Sequence, residues 1–532
     1  MHRLAATPGG WNPNTDGVIF IDQSPAPIVF LTAADTDIQT LAKAFTQMPA
    51  DFPALRVANL LQLQQQLTID TYAEDVLEHA QVIVLRLLGG RAYWSYGLEV
   101  VKQTVEQTGA TLFVLPGDDR PDPELLSHST ASLADVNRLW RYLNEGGIAN
   151  TVHALQFLAQ SCFGQPYTPP LPAAAPRVGF YDWRESRPVG EPAPGQTAAP
   201  LAKVGILFYR AHYLAGNTDP IDALCRALRD RHLQPVPVFV SSLRDPAVQD
   251  DLLELLHPKD SEPIQVLLNA TSFSLARLES ESLNLELWEA LNVPVLQVIL
   301  SGGTREQWQT ESRGLSPRDV AMNVALPEVD GRIISRAVSF KAVQTYNPVL
   351  ETDVVGYEAV GDRIHFVADL AAHWVQLRQT PVGDRRVALI LANYPNRNGR
   401  LANGVGLDTP ASCVAILHAM QQAGYTLTDL PATGDELIQR LTAGVTNDPE
   451  GHGNRTIHQS LCVNAYQQQF NTLPAAVQQG MGDRWGTAIS AIASQSSDSL
   501  ALDAALGTAP ASFAISGIQL GNVFVGIQPA RG

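Results

Sequence analysis

The chain has 532 residues, 45% of them hydrophobic and 17% charged, which is typical of a folded protein with several cores. Its formal net charge of −17 argues against a nucleic-acid-binding surface, and no apolar run approaches the ~18 residues that a membrane-spanning helix needs. The four cysteines have no paired spacing and the N-terminus has no apolar signal core, so we expect a cytoplasmic protein without structural disulfides or a structural zinc site.

Residues 1–165 show the alternation of strands and helices that is typical of an α/β domain. Short apolar runs predict strands at residues 28–31, 82–88 and 112–115, and helical periodicity predicts helices at residues 38–45 and 97–107. Polar loops follow two of these strands, at residues 88–97 and 116–123. The first loop contains three aromatic residues, which pack against protein more often than they stack on a ligand.

Proline-rich sequence at residues 166–200 is typical of a linker, and a second α/β domain is predicted at residues 201–383. Its first strand leads into a polar loop that contains His212 and Asn217, and Asp219 is placed to cap the helix that follows. The strands of this domain are predicted at residues 204–209, 236–240, 265–269 and 295–300, and its first helix at residues 221–231.

Residues 384–532 have the pattern of a third α/β domain, which we expect to be incomplete at its C-terminus, because residues 521–532 resemble a strand and the beginning of a loop. The unbroken apolar run at residues 387–391 predicts a strand buried on both faces. A loop rich in Asn, Arg and Gly follows and ends at Asp408, which we expect to cap a helix that stops near Gly424. Ligands of open α/β sheets bind at the carboxyl ends of strands, so this loop is predicted to bind one.

Several familiar catalytic motifs are incomplete. Gly404 and Gly406 lack the third glycine of a dinucleotide-binding loop, and residues 301–304 lack the Lys-Ser/Thr ending of a phosphate-binding loop. His212 and His452 stand singly in loops, where histidine is more often solvated than bound to a metal, so no resident metal is expected. Residue patterns alone leave open a non-catalytic small-molecule-binding α/β module or a glycosyltransferase-like enzyme.

A set of short stretches in a fixed order resembles the CobN / magnesium chelatase H subunit family, the large subunits of tetrapyrrole chelatases, and matches their amino-terminal portion. The stretches are LLGGRAYW at 87–94, LPGDDRP at 115–121, LWRYL at 139–143, RAHYLAGNT at 210–218, LSGGTRE at 300–306, MNVALPE at 322–328, the loop and helix at 386–424, and GNVFVGIQP at 521–529. Residues 91–94 are similar to those of cobalt-type rather than magnesium-type large subunits.

The resemblance implies a multidomain chelatase large subunit with several Rossmann-like or flavodoxin-like open sheets. It implies a ligase-type, ATP-dependent insertion of Co²⁺ into a corrinoid-type tetrapyrrole, hydrogenobyrinic acid a,c-diamide, during cobalamin biosynthesis. ATP would be used by AAA+ partner subunits of the CobS/CobT or ChlI/ChlD type, and no cofactor would be bound permanently. The alternative within the family is a magnesium chelatase H-like subunit that binds protoporphyrin IX.

One family feature is missing from the 532 residues. Family members carry a segment of the form His-Gly-x-Leu-Glu-Trp that resembles the source of the catalytic carboxylate and histidine, and here His452-Gly453 is followed by Asn454 and Arg455. We therefore leave the catalytic residues unassigned. We expect this chain to be the amino-terminal part of a large subunit and not to insert Co²⁺ by itself.

The residues expected to bind substrate lie mostly in loops after predicted strands and carry amide, imidazole or guanidinium groups: His212, Asn217, Arg305, Asn323, Asn393, Asn396 and Arg397. The loops after residues 209, 300 and 391 are expected to converge on one cleft. Arg305 and Arg397 are the strongest candidates, because turn geometry does not require an exposed arginine. In a chain of charge −17, a polycarboxylate ligand needs a local cationic pocket.

Overall fold

The computed structural model describes residues 20–87, 89–117, 121–183, 201–275, 285–394, 397–448, 455–486 and 512–528. The chain forms two compact units, Met1–Gln376 and Leu377–Gly532. Among the described residues, no helix combines the length and the apolar character needed to cross a membrane.

The first sheet of the first unit is parallel and has the order β2-β1-β3-β4. Its strands are β1 (Ile28–Thr32), β2 (Leu55–Asn59), β3 (Val82–Leu87) and β4 (Thr111–Pro116). Its helices are α1 (Asp35–Phe45), α2 (Gln66–Asp75), α3 (Ser95–Thr108), α4 (Pro123–Leu126), α5 (Leu133–Glu145) and α6 (Gly147–Phe163). Strands β1, β2 and β3 are buried along their whole length because helices cover both faces of the sheet.

The second sheet has seven strands in the order β11-β10-β9-β8-β6-β7-β5. The strands are β5 (Val178–Phe180), β6 (Lys203–Tyr209), β7 (Gln234–Val240), β8 (Val266–Asn269), β9 (Val295–Ser301), β10 (Ile333–Asn347) and β11 (Thr352–Ala359). The helices are α7 (Arg210–Ala215), α8 (Asp219–Arg229), α9 (Pro246–Leu256), α10 (Glu286–Leu291), α11 (Arg305–Thr310), α12 (Pro317–Val320), α13 (Leu326–Val329) and α14 (Gly361–Gln379). Strands β6 to β10 run parallel, and antiparallel β5 and β11 form the two edges.

The β10–β11 hairpin ties the two sheets of the first unit together. At its tip, Leu350 and Val354 are buried in the same apolar cluster as the strands of the first sheet. Glu351 forms an ion pair with Arg56 of β2, with Nη2 and Oε1 2.8 Å apart, and its second oxygen accepts a hydrogen bond from the Ser24 backbone. The two α/β layers therefore share a core.

The second unit is built on a three-stranded sheet of order β12-β16-β15, with a separate two-stranded ribbon of β13 and β14. Its strands are β12 (Val387–Leu391), β13 (Gln459–Cys462), β14 (Ser512–Ile515), β15 (Gly517–Leu520) and β16 (Val523–Ile527). Its helices are α15 (Thr409–Gln422), α16 (Gly434–Ala443), α17 (Val463–Phe470) and α18 (Ala475–Trp485). Leu417 and Leu437 of the first two helices are fully buried against the three-stranded sheet.

The α/β fold class predicted from the sequence is confirmed, but burial of β12 on both faces was wrong. Val387, Leu389 and Leu391 face the apolar core under α15 and α16, whereas Ala388 and Ile390 are exposed. Successive residues of a strand point to opposite faces, and the described residues cover only one face of this sheet. An unbroken apolar run does not distinguish one covered face from two.

The two expected helix caps have different outcomes. Asp408 caps α15 as predicted, because its Oδ1 accepts a hydrogen bond from the Ala411 backbone at 3.0 Å. Asp219 does not cap α8, whose N-cap is Thr218. The Asp219 carboxylate instead accepts a hydrogen bond from the Ala359 backbone at 2.9 Å, where it holds the end of β11.

Candidate functional site

The strand order of the first sheet creates a crevice at the carboxyl ends of β1 and β3. In the flavodoxin-type order, the connections leave these two neighbouring strands in opposite directions, and ligands bind at that switch point. Asp35 follows β1 at the start of α1. Gly89 and Gly90 follow β3 with φ angles of 87° and 75°, which favour glycine, and they lead the chain to Tyr93.

The second sheet repeats this arrangement, with β7-β6-β8-β9-β10 in the corresponding order and its switch point between β6 and β8. At that point Tyr209 Oη donates a hydrogen bond to the Ser272 carbonyl at 3.0 Å. Burial raises the pKa of Tyr209 to about 12, against the opposing charge of Arg332, so the phenol stays a neutral donor at physiological pH. This bond fixes the loop after β8 against the end of β6.

An ion pair joins the carboxyl end of β1 to the second sheet. Lys341 Nζ of β10 lies 2.5 Å from Asp35 Oδ2, and the two side chains are 11% and 12% exposed. Burial lowers the pKa of Lys341, but the Asp35 carboxylate and the Tyr357 phenol together outweigh burial and leave the pKa raised, so the ammonium stays charged. Lys341 Nζ also lies 6.0 Å from the centre of the Tyr357 ring.

Arg318 of α12 completes this region. Burial lowers the pKa of its guanidinium. Burial raises the pKa of the Tyr93 and Tyr357 phenols, and the positive charge of Arg318 opposes that rise. Asp35 and Tyr93 therefore come from the first sheet, whereas Arg318, Lys341 and Tyr357 come from the second. We call these five residues the inter-sheet cleft. It combines two cations, one carboxylate and two phenols at the carboxyl ends of two open sheets.

A buried hydrogen-bond network positions Arg318. The neighbouring Asp319 carboxylate accepts from Ser301 Oγ at 2.8 Å, from the Gly302 backbone at 3.0 Å and from Asn323 Nδ2 at 3.2 Å. Asn323 Oδ1 in turn accepts from Ser272 Oγ at 2.7 Å. Asn323 was expected to bind substrate, and the structure places it in a buried π-helical turn where its amide links the loops after β8 and β9.

His212 and Asn217, two further expected binding residues, come together on Tyr357. The imidazole meets the Tyr357 ring edge-on, with ring centres 5.3 Å apart. Asn217 Oδ1 accepts a hydrogen bond from the Tyr357 backbone at 3.1 Å. Both residues therefore support the β11 strand beside the inter-sheet cleft, and their predicted contact with substrate stays a prediction.

Arg305 is exposed at the start of α11, where it lines a groove of about 210 Å³. The opposite walls of this groove are Lys341 and Ala342 of β10 and Glu358 of β11. Ligand pockets for whole small molecules commonly measure about 300–1,000 Å³, so this groove has room for one substituent of a ligand rather than for a whole small molecule.

The loop after β12 builds a separate polar cluster in the second unit. Asn393 is 3% exposed, and its Oδ1 has no hydrogen-bond partner among the described residues. Nearby, Arg455 Nη1 donates to Thr446 Oγ1 at 2.6 Å, and the Asn398 amide oxygen, when turned toward Arg455, lies 2.6 and 3.1 Å from its two terminal nitrogens. Arg397 is exposed beside this cluster. The expected residue Asn396 lies outside the described residues.

A buried acceptor such as Asn393 Oδ1 is costly unless a donor reaches it, so this cluster is suited to a ligand that carries an N–H or O–H group. His212, Asn217 and Arg305 belong to the first unit and Asn393 and Arg397 to the second. Their convergence on one cleft stays a prediction.

Sequence reasoning missed the most buried charged pair of the inter-sheet cleft. Lys341 and Asp35 lie 306 positions apart, so no spacing connects them. The available signal was a lysine inside an apolar β-strand pattern, which needs a buried partner. In the parts of the chain that the structure describes, no group of three or more His, Cys, Asp or Glu side chains is arranged to hold a metal ion.

Known proteins similar to this chain match it along its whole length. Residues 140–532 match the family model described as CobN/Magnesium Chelatase. The chain is 40% identical over 532 residues to an aerobic cobaltochelatase subunit CobN of Pseudomonas aeruginosa, covering 100% of this chain and 41% of that protein. It is 41% identical to the subunit of the same name from Sinorhizobium, again over 100% of this chain and covering 40% of that protein.

A solved structure, the catalytic subunit of cobaltochelatase from Mycobacterium tuberculosis, superposes with a TM-score of 0.62 and 29% sequence identity. The superposition covers 95% of this chain and 39% of that chain. The chain thus spans about two fifths of the length of the relatives that it matches.

Proposed function

Because this chain belongs to the CobN/magnesium chelatase family, we propose that it is part of the large subunit of an ATP-dependent cobaltochelatase. In this proposal the subunit holds hydrogenobyrinic acid a,c-diamide while Co²⁺ is inserted during cobalamin biosynthesis. The observation that carries the proposal is 40% identity to a cobaltochelatase subunit along all 532 residues. Co²⁺ and the macrocycle are substrates, and the reaction belongs to the cytoplasm, which suits the four free thiols.

Cobalt rather than magnesium is supported by the comparisons. The two relatives that share 40% and 41% identity, and the solved structure from Mycobacterium tuberculosis, are all cobaltochelatase subunits. A magnesium chelatase H-like activity on protoporphyrin IX is the second candidate, because the matching family model includes both enzymes.

The binding chemistry that we propose uses cations against the carboxylates at the rim of the corrinoid. Arginine forms two parallel charge-assisted hydrogen bonds with a carboxylate, each stronger than a neutral hydrogen bond. In the first unit, Arg305 is exposed at the groove beside Lys341 and offers such a group. In the second unit, Arg397 is exposed and Asn393 Oδ1 is suited to an amide N–H, which a diamide substrate carries.

Metal insertion also requires a base that accepts the two inner N–H protons of the macrocycle and groups that replace water on the ion. We assign neither role to a residue of this chain. Its proposed contribution is to bind and orient the macrocycle. The ATP-hydrolysing step belongs to AAA+ partner subunits, of the CobS/CobT or ChlI/ChlD type.

Reconstitution tests this proposal. The complete large subunit, its AAA+ partner subunits and ATP are supplied in parallel with Co²⁺ and hydrogenobyrinic acid a,c-diamide, or with Mg²⁺ and protoporphyrin IX. The expected result is ATP-dependent cobalt incorporation, seen as a change in the absorption spectrum of the corrinoid. Magnesium insertion into protoporphyrin without cobalt insertion would assign the chain to the other branch of the family.

A further inference from the structure

A second cavity lies within the second unit, apart from the polar loop after β12. It measures about 450 Å³, within the range of about 300–1,000 Å³ that is usual for sites of small organic ligands. Helices α17 and α18 and the β13–β14 ribbon form its walls. Neither helix has a fully buried residue among those described, so their apolar side chains remain open to this cavity.

The walls of the cavity are aromatic and uncharged. Phe470, Trp485 and Phe513 line it together with Tyr466, and no described lining residue carries a charge. The rings are arranged against each other: Tyr466 stacks on Phe470 with centres 5.8 Å apart and meets Phe513 edge-on at 5.1 Å. Trp485 is 55% exposed although it is the largest apolar side chain of the cavity. Such a surface is suited to a flat apolar ligand.

One cation stands at the edge of this cavity. The guanidinium carbon of Arg484 lies 5.1 Å from the centre of the Trp485 ring. Arg484 is exposed. Its guanidinium can bind a carboxylate of a ligand beside the cavity, while the Trp485 ring packs against the apolar body of the same ligand. The pairing of an uncharged aromatic cavity with one arginine at its edge points to a ligand that is flat and apolar in its body and anionic at its margin.

We propose that this aromatic cavity binds the ring face of the tetrapyrrole, with Arg484 paired to one carboxylate of its rim. The proposal rests on the proposed function and names the place where the macrocycle ring is held. A partner helix is disfavoured as the occupant, since a cavity of this volume holds one or two side chains of a helix and leaves the remainder in solvent.

The test is equilibrium binding of hydrogenobyrinic acid a,c-diamide to the complete large subunit, measured by fluorescence quenching. Trp485→Ala is expected to raise Kd about five- to tenfold, as loss of one stacked ring implies, whereas Trp485→Phe keeps a ring and is expected to raise Kd less than about twofold. Because Trp485 is more than half exposed, its removal leaves the fold intact. Ile416→Ala, at an apolar residue of α15 that is 48% exposed and outside the cavity, is the matched control and should not change Kd.

Arg484→Ala gives an independent readout. It should weaken binding of the free acid and leave unchanged the binding of a methyl-ester analogue, whose rim carries no charge. A Trp485→Ala variant with wild-type Kd, beside a wild-type subunit that binds the corrinoid, would overturn the cavity assignment and leave the proposed function standing. A wild-type subunit that binds no corrinoid would remove both.

Discussion

Lys341 of β10 and Asp35 of α1 form an ion pair, 2.5 Å between Nζ and Oδ2, that joins the carboxyl ends of two different sheets. Both side chains are nearly buried, so removal of one partner leaves the other charge without its counter-ion in a poorly solvated place. Lys341→Met or Asp35→Asn alone should therefore destabilise the first unit by about 3 kcal/mol or more.

The double variant Asp35→Asn/Lys341→Met should lose clearly less stability than the sum of the two single changes, because neither charge is then left alone. The measurement is the urea midpoint of the 532-residue chain, followed by circular dichroism for all four members of the cycle. Strictly additive losses would show that the pair is not coupled.

A second prediction concerns acid. Burial raises the pKa of Glu351, but hydrogen bonds from Ser24 and the charge of Arg56 outweigh it, so the folded pKa lies below the ordinary value of a glutamate. For a carboxylate with a depressed folded pKa, the stabilisation is present above the unfolded pKa and is lost as pH falls through the folded value. Stability should therefore decline below about pH 4.5 in part through this residue.

Glu351→Gln should be less stable than wild type at pH 7, and the difference should shrink as pH falls through this window. Thermal unfolding at a series of pH values measures it. Glu358→Gln, at an exposed residue of β11 in the same hairpin, is a suitable control. If the stability difference between wild type and Glu351→Gln were the same at pH 7 and at pH 3, the Glu351–Arg56 ion pair would not be sensitive to acid.

The third prediction concerns the helix that follows the loop after β12. Asp408→Ala removes the side-chain acceptor of the Ala411 N–H and should destabilise the second unit by about 1 kcal/mol. Asp408→Asn retains an acceptor oxygen and should lose less. The urea midpoint of each variant gives the comparison, and a wild-type midpoint for Asp408→Ala would show that the cap contributes nothing.

Most of the regular core elements were predictable from sequence, whereas the elements that join them were not. Strands β1, β3, β6 and β9 each contain at least three consecutive apolar residues, a signal that the sequence displays directly. Strand β2 was missed because Arg56 leaves no run of more than two apolar residues, and β10 was missed because polar residues, Arg336 and Lys341 among them, divide its apolar residues in the same way. Two of these interruptions, Arg56 and Lys341, form ion pairs that bind one sheet to the other.

The candidate site shows the same limit. The polar loops after β6, β9 and β12 could be identified because they follow apolar strands, which is a local property. The partners of their residues depend on chain packing: Asn323 engages Asp319 and Ser272, and Asn217 engages Tyr357, 140 positions away. Contacts between distant segments follow from the tertiary fold and leave no periodic signal in one sequence.

The fourth prediction concerns the two exposed arginines. Arg397→Ala and Arg305→Ala in the complete large subunit should each weaken corrinoid binding about tenfold or more, in line with the roughly 1.5–3 kcal/mol of a hydrogen bond to a charged group. Arg313→Ala provides a control, since Arg313 is also exposed and lies outside the groove at Arg305. Unchanged affinity in both test variants would leave these two loops a structural role only.

The most direct test of the central claim compares the affinities of the complete large subunit for two macrocycles. Hydrogenobyrinic acid a,c-diamide and protoporphyrin IX are titrated separately under the same conditions, with binding followed by quenching of tryptophan fluorescence. The identity to cobaltochelatase subunits along the whole chain predicts tighter binding of the corrinoid. Tighter binding of protoporphyrin IX, or no binding of the corrinoid, would contradict assignment of this chain to a cobaltochelatase.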